Sequence, residues 1–485
     1  MKRGFFDMEE MIKELLLYAQ KLGAEYGDIR YTKQRERPLM MRNGEIESAA
    51  ERLDSGFGCR LIVDGGWGFA STPAKDFEQL KGMVERAVSV AKASARYKLA
   101  SVELIPVEIV QDKKATPVKT DPFTLNLDEQ AQLLRQCHEI MVQVPEVRVT
   151  GGNLYQSRED KIFASTEGSW IEQTLTITGA GIDCLARGND DVQRRSFNLN
   201  KTAGFEAVVA MDLPAKAEEL AQQAALLLTA DNCPEKTRSL ILDKTLARLQ
   251  VHESCGHPIE LDRVLGSEDT YAGKSFLTPD LFGKDFKFGS EKVNITADAT
   301  LPQGLGSFFY DDEGVKAQRT TIVEEGKFKN YLTSRETAKD YGGVANGTMR
   351  AMNWANIPLI RMTNINLEPG DWSLDEIIRD TKDGILAVTP KSWSLDDKRL
   401  NFHFAPELAY EILDGEIVRP LKNASYTALT PEFWASCDAV AGREKGEWEV
   451  LGSISCAKGE PVQSIGPGHG VAPVRLNNIK TGLQD

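Results

Sequence analysis

The chain has 485 residues, enough for two domains or more, and its 41% hydrophobic and 27% charged content is that of an ordinary globular protein in water. A formal net charge of −14 argues against a nucleic-acid surface, since no basic run is present to neutralise phosphates. No apolar stretch approaches the roughly 20 residues of a membrane span, and seven widely scattered cysteines form no disulfide framework, which makes a reducing cytoplasm the simplest home.

The first residues, MKRGFFDMEEMIKELL, carry two basic groups and then mix apolar residues with acids at helical spacing. That pattern is an amphipathic helix over 7–22, with Met8, Met11, Ile12, Leu15, Leu16 and Ala19 on one face, and not a signal peptide. Short strands are expected at 27–31, 39–41 and 45–49, with a turn at Asn43-Gly44. A second hairpin joins 56–63 to 67–71 across Asp64-Gly65-Gly66. Helices follow at 77–95 and 127–142. From 147 to about 205 the alternation of apolar and polar residues predicts a broad antiparallel sheet, and 215–228 is a buried helix. Asp231-Asn232-Cys233-Pro234 is the best boundary, dividing the chain into 1–232 and 233–485. Beyond it, 239–242 is a strand and Asp243 is placed to cap the next helix. Further strands are expected at 320–324 and 327–332 across Glu325-Gly326, and at 400–404, 409–413 and 416–419. No repeat or low-complexity tract occurs. Each half has a helix-then-sheet rhythm, so the fold class is α+β, two domains, each with a large mainly antiparallel sheet and flanking helices.

The chemistry is concentrated in LARLQVHESCGHPIE, residues 246–260, in a chain with only five histidines. Two imidazoles beside a carboxylate are what a hydrolytic zinc site needs: neutral ligands, and a base for a bound water. The pair His252 and His257 is spaced i, i+5, which on an ideal α-helix leaves the second ring roughly 140° round from the first. Either a π-type bulge restores the alignment or the helix ends between them; Gly256 and Pro258 favour an ending or a distortion at that point. His252 with Cys255, at i, i+3, is an alternative ligand pair. A third ligand must come from elsewhere, with His138, His403, His469, the other cysteines and many carboxylates as candidates. Cys456, between a short apolar strand and a Gly/Pro-rich loop, reads either as a buried thiol or as a thiolate ligand.

Taken together, HESCGHPIE, GSFFYDDEG (306–314), PLIRMTN (358–364) and CAKGEPVQS (456–464) resemble the TldD/PmbA family of metallopeptidases, also called modulators of DNA gyrase. The block RNGEIESAAERLDSGFGCRLIVDGGWGFAS (42–71) resembles that family's N-terminal domain, so the likeness covers most of the chain. The family has catalytic TldD-type chains with H-E-x-x-x-H and a late cysteine, and partner chains without the metal ligands. This sequence resembles the catalytic kind. The resemblance implies Zn²⁺ held by His252, His257 and Cys456, with Glu253 as the base, and it favours His257 over Cys255. The family's usual C-G-K-x-G-Q reads Cys456-Ala457-Lys458-Gly459-Glu460-Pro461 here. His403 is read as structural, and His469 as a loop histidine that can line the site. Asp311 and Asp312, with Glu313, are either a solvated turn or carboxylates that orient a ligand imidazole, and Arg361 and Asn364 are candidates for binding substrate backbone.

The expected substrate is a small peptide or an unfolded protein, bound as an added strand with main-chain bonds supplying affinity and little side-chain selectivity. The expected assembly is a homodimer or a heterodimer with a paralogous metal-free subunit, with no nucleic acid and no membrane. Two competing readings are a non-catalytic peptide-binding subunit and a modulator of a DNA enzyme; the acidic balance gives the latter no support as a nucleic-acid binder.

Overall fold

The computed structural model describes residues 8–270, 272–452 and 455–483. Helix α1 is Met8–Lys21 and buries Met11, Ile12, Leu15, Leu16 and Ala19, the stripe expected from spacing; the expected start at Asp7 lies outside the described residues. Strands β1 (Tyr26–Glu36), β2 (Leu39–Arg42), β3 (Glu45–Ala49), β4 (Arg52–Val63) and β5 (Gly66–Thr72) follow. Helix α2, Phe77–Ala95, starts where Asp76 accepts hydrogen bonds from the Glu78 and Gln79 N–H groups. It lies so close to β5 that a Cβ at Gly68 would sit 2.0 Å from the Ala87 carbonyl oxygen. Only glycine permits that approach.

Strand β6 (Gln111–Ala115) and helix α3 (Leu127–Met141) lead to three long strands, β7 (Val147–Ser165), β8 (Trp170–Arg187) and β9 (Val192–Lys201). Together these make an antiparallel sheet in the order β9-β8-β7-β1-β4-β5, with β2 on β7 and β6 running parallel to β8. The strands Glu449–Gly452 and Gly468–Val471, from far down the chain, extend it beyond β9. Helix α2 joins α1 over one core, while α3, the short α4 (Glu206–Val209) and α5 (Leu213–Thr229) share another with the second half.

After β10 (Asp231–Asn232), strand β11 (Lys236–Leu242) enters a second sheet, parallel to Asp383–Leu395 and antiparallel to Val474–Leu483. The α+β class with large antiparallel sheets is what the structure shows. The two segments expected at 400–404 and 409–413 are one strand, Asn401–Leu413. Pro406 lies inside it opposite Pro390, where a register irregularity accommodates proline's missing N–H.

A buried lattice of charge ties the two halves together. Arg60 on β4 meets Asp28 of β1 at 2.8 Å and Glu313 of the second half at 3.1 Å. Asp312, wholly buried, takes Lys161 of β7 at 2.8 Å and Arg30 of β1 at 3.5 Å. Burial opposes ionisation of Asp312, yet Lys161 and Arg30 hold its carboxyl below the usual range. A carboxyl depressed in the native state stabilises it above the unfolded pKa of about 3.9 and ceases to do so as pH falls through the lower native value. Asp312→Asn takes the carboxylate from buried Arg30 and from Lys161, which keeps Glu159 at 3.0 Å, and is expected to cost about 3 kcal/mol at neutral pH, read from the urea-unfolding midpoint. The deficit relative to wild type should shrink below about pH 4.

Candidate metal centre

Helix α6, Lys244–Val251, begins at Asp243, whose carboxylate accepts the Leu246 N–H at 2.9 Å as expected of a cap. Its apolar face (Leu246, Ala247, Val251) is fully buried, which fixes the direction in which the next turn leaves the core. That turn, His252–Gly256, is a π-helix: the His257 N–H reaches the His252 carbonyl at 3.2 Å, spanning five residues. The wide turn removes most of the angular offset that i, i+5 suffers in an α-helix. The two imidazoles accordingly lie with ring centroids 4.9 Å apart and perpendicular. Met362 presses on the turn from outside; a Cβ at Gly256 would stand 2.2 Å from its sulfur. Cys255 is fully buried in the hydrophobic core and takes no part in the cluster.

Cys456 arrives from the end of the chain. Its sulfur stands 3.6 Å from His257 Nε2, and ligand atoms of His252, His257 and Cys456 all lie within 4.8 Å of one another. Tetrahedral bonds of about 2.0–2.3 Å place zinc ligands roughly 3.3–3.8 Å apart. The Cys456–His257 separation falls in that range, and two imidazole nitrogens with one sulfur are a donor set that suits a borderline-soft cation such as zinc.

Each imidazole is held from behind. Glu260 accepts from His257 Nδ1 at 3.0 Å, leaving Nε2 turned toward the sulfur. His252 Nδ1 meets His469 Nε2 at 3.2 Å. Burial drives the imidazoles of His252, His257 and His469 well below their usual pKa, so the rings are neutral and able to donate a lone pair. Burial pushes the Cys456 thiol up to about 12, against the influence of Arg361; a cation seated among the three groups would reverse this and favour the thiolate. Glu253 is also buried, which raises its carboxyl, while Arg399 opposes the rise from 2.7 Å away.

The other expected site residues make contacts within the protein framework. Both terminal nitrogens of Arg361 hold the cysteine loop, one on the Cys456 carbonyl and the other on the Gln463 carbonyl at 3.3 Å. Asn364 accepts from the Gly306 N–H at 3.0 Å and donates to the Asp298 carbonyl at 2.6 Å. Asp311 accepts three backbone N–H groups, from Glu313, Val315 and Met349, and Asp312 belongs to the charge lattice. Neither carboxylate bonds to an imidazole, and neither is solvated. The carboxylate behind an imidazole is Glu260, three residues after His257 within the motif itself. Lys458 joins the two loops, donating to Asp262 at 2.6 Å with Glu260 at 3.5 Å. His403 is exposed on its strand.

Comparison with known proteins agrees in extent and kind. The PmbA/TldA metallopeptidase C-terminal domain matches residues 235–477, domain 1 matches 27–91, and the central domain matches 120–228. A metalloprotease of Methanocaldococcus jannaschii is 30% identical, over 86% of this chain and 89% of that protein. A zinc metalloprotease TldD homolog of Saccharolobus solfataricus is 24% identical, over 85% of this chain and 88% of its own. The structure of TldE from Thermococcus kodakarensis superposes with a TM-score of 0.77 at 18% identity, covering 97% of this chain and 100% of that one.

A partner that orients a ligand imidazole contributes to metal affinity without touching the metal. Glu260→Gln is expected to weaken zinc uptake about 10- to 100-fold, measured by competition with a chromogenic chelator.

Proposed function

Because the chain belongs to the PmbA/TldD metallopeptidase family, we propose that it is a zinc-dependent peptidase that hydrolyses peptide bonds of unfolded proteins or small peptides held in extended form. The observation that carries this reading is the convergence of two imidazoles and a distant sulfur beside a buried carboxylate. His252, His257 and Cys456 would hold the ion. When bound, zinc supplies a Lewis acid that lowers the pKa of a coordinated water and polarises a carbonyl.

The chain's own groups do the remaining work. Glu253, next to His252, takes the proton of the attacking water and returns it to the leaving amine. Burial raises the basicity of its carboxylate, and Arg399, donating to it from 2.7 Å, opposes that rise. Glu260 fixes the tautomer of His257 by accepting its Nδ1–H, and Arg361 sets the reach of the Cys456 loop.

The complete set of ligand residues favours a catalytic chain over a non-catalytic peptide-binding subunit. Family likeness, including the superposition on TldE, supports pairing with a second copy or with a paralogous metal-free chain. All seven cysteines are free, which suits a reducing, cytoplasmic setting. No helix among the described residues is long and apolar enough to cross a membrane.

The deciding experiment is cleavage of an unstructured peptide by wild type and by Glu253→Gln, with zinc quantified in both. The variant should retain its metal and lose turnover by about 10²- to 10⁴-fold; undiminished cleavage would remove Glu253 from its role.

A further inference from the structure

A cavity of about 560 Å³ separates one face of the first sheet from the loops of the second half. Strand register sets its floor: Asp54, Gln34, Glu159 and Leu175 stand in one row across β4, β1, β7 and β8. Its roof includes Met352 and Ile465. The Ile465 N–H donates to the Cys456 carbonyl at 3.1 Å, and the Met352 N–H donates to Gln463 on the same loop at 3.0 Å. This cavity therefore ends one hydrogen bond from a metal-site residue.

A second cavity, of about 350 Å³, adjoins the first and shares Leu175, Thr202, Ser307, Phe308 and Tyr310 with it. The two differ in chemistry. Most residues lining the larger are polar or charged, with Met352 and Ile465 among its apolar exceptions, whereas the smaller is walled mainly by apolar groups, among them Pro117, Leu301, Phe309 and Ala317.

We propose that the joined cavities are the substrate cleft: the peptide main chain lies along the polar floor, and one large apolar side chain drops past Phe308 into the smaller pocket. The enzyme is then selective, at one position of its substrate, for a residue of the leucine or phenylalanine class. This rests on the peptidase reading and narrows it, because a cleft engaging only the main chain would show no such preference.

The test uses the zinc-loaded full-length protein and a series of peptides in which each position in turn is leucine or glycine. At one position the leucine peptide should be cleaved with kcat/KM higher by roughly tenfold or more. Ala317→Phe, which fills the smaller cavity, should bring the leucine peptide down to the level of its glycine counterpart with zinc content unchanged. A wild-type enzyme indifferent to leucine at every position would overturn the proposal, and so would a preference that survives in a folded Ala317→Phe protein. The wild-type series decides the matter alone if that variant does not fold. Failure of the zinc-loaded wild type to cleave any peptide would instead sink the peptidase reading itself.

Discussion

The structure depends on one departure from regular helical geometry. Five residues of ordinary α-helix would send His252 and His257 to different sides, and neither could share an ion with the other. The wide turn at His252–Gly256 brings their rings together. Its surroundings over-determine it: α6 is anchored by its Asp243 cap and apolar face, and Met362 fills the space that a side chain at position 256 would need. Irregular backbone of this kind is tolerated where packing on both sides leaves it no alternative.

Around that turn the protein invests in buried charge. Glu260, Arg263, Arg361 and Lys458 are all sequestered from water near the imidazoles, and each carries at least one close partner. The interface between the first sheet and residues 311–313 repeats the pattern with Arg30, Arg60 and Lys161. Buried ions of this sort add little net stability compared with an apolar core, but an arrangement that leaves one of them unpaired is strongly disfavoured. Such lattices select one relative placement of the two halves, and that placement forms the walls of the cavities beside the cysteine loop.

Much of this was legible from residue order. Helix α2 is legible at its observed bounds and Asp243 in its capping role, while the conflict between histidine spacing and helical pitch leaves two solutions, a π-type bulge or a helix end, of which the structure has the first. The sequence reading of strand β1 stops short because residues 32–36 are polar; Gln34 and Glu36 face the larger cavity, which periodicity cannot distinguish from solvent. For the same reason β6, QDKKA, carried no strand signal and exists only because β8 offers it a pairing edge. Asp311–Glu313 is open to reading as a solvated turn, since nothing local announces the cations that reach Asp312 and Glu313 from 150 or more residues away, or the backbone N–H groups that close on Asp311. Glu260 lay in plain view within the motif, and its spacing from His257 was the available clue. Arg399, which sits on a distant turn at left-handed φ of 61°, offered none.

The order in which the ligands occur along the chain has a further consequence. The sulfur belongs to a loop suspended between Glu449–Gly452 and Gly468–Val471, strands that complete a sheet otherwise built from the first half. During translation the two imidazoles therefore leave the ribosome some two hundred residues ahead of their third companion. A nascent or truncated polypeptide ending before Cys456 lacks the sulfur of the His252–His257–Cys456 cluster, so the proposed metal site would be incomplete until nearly all of the molecule has been made and closed upon itself.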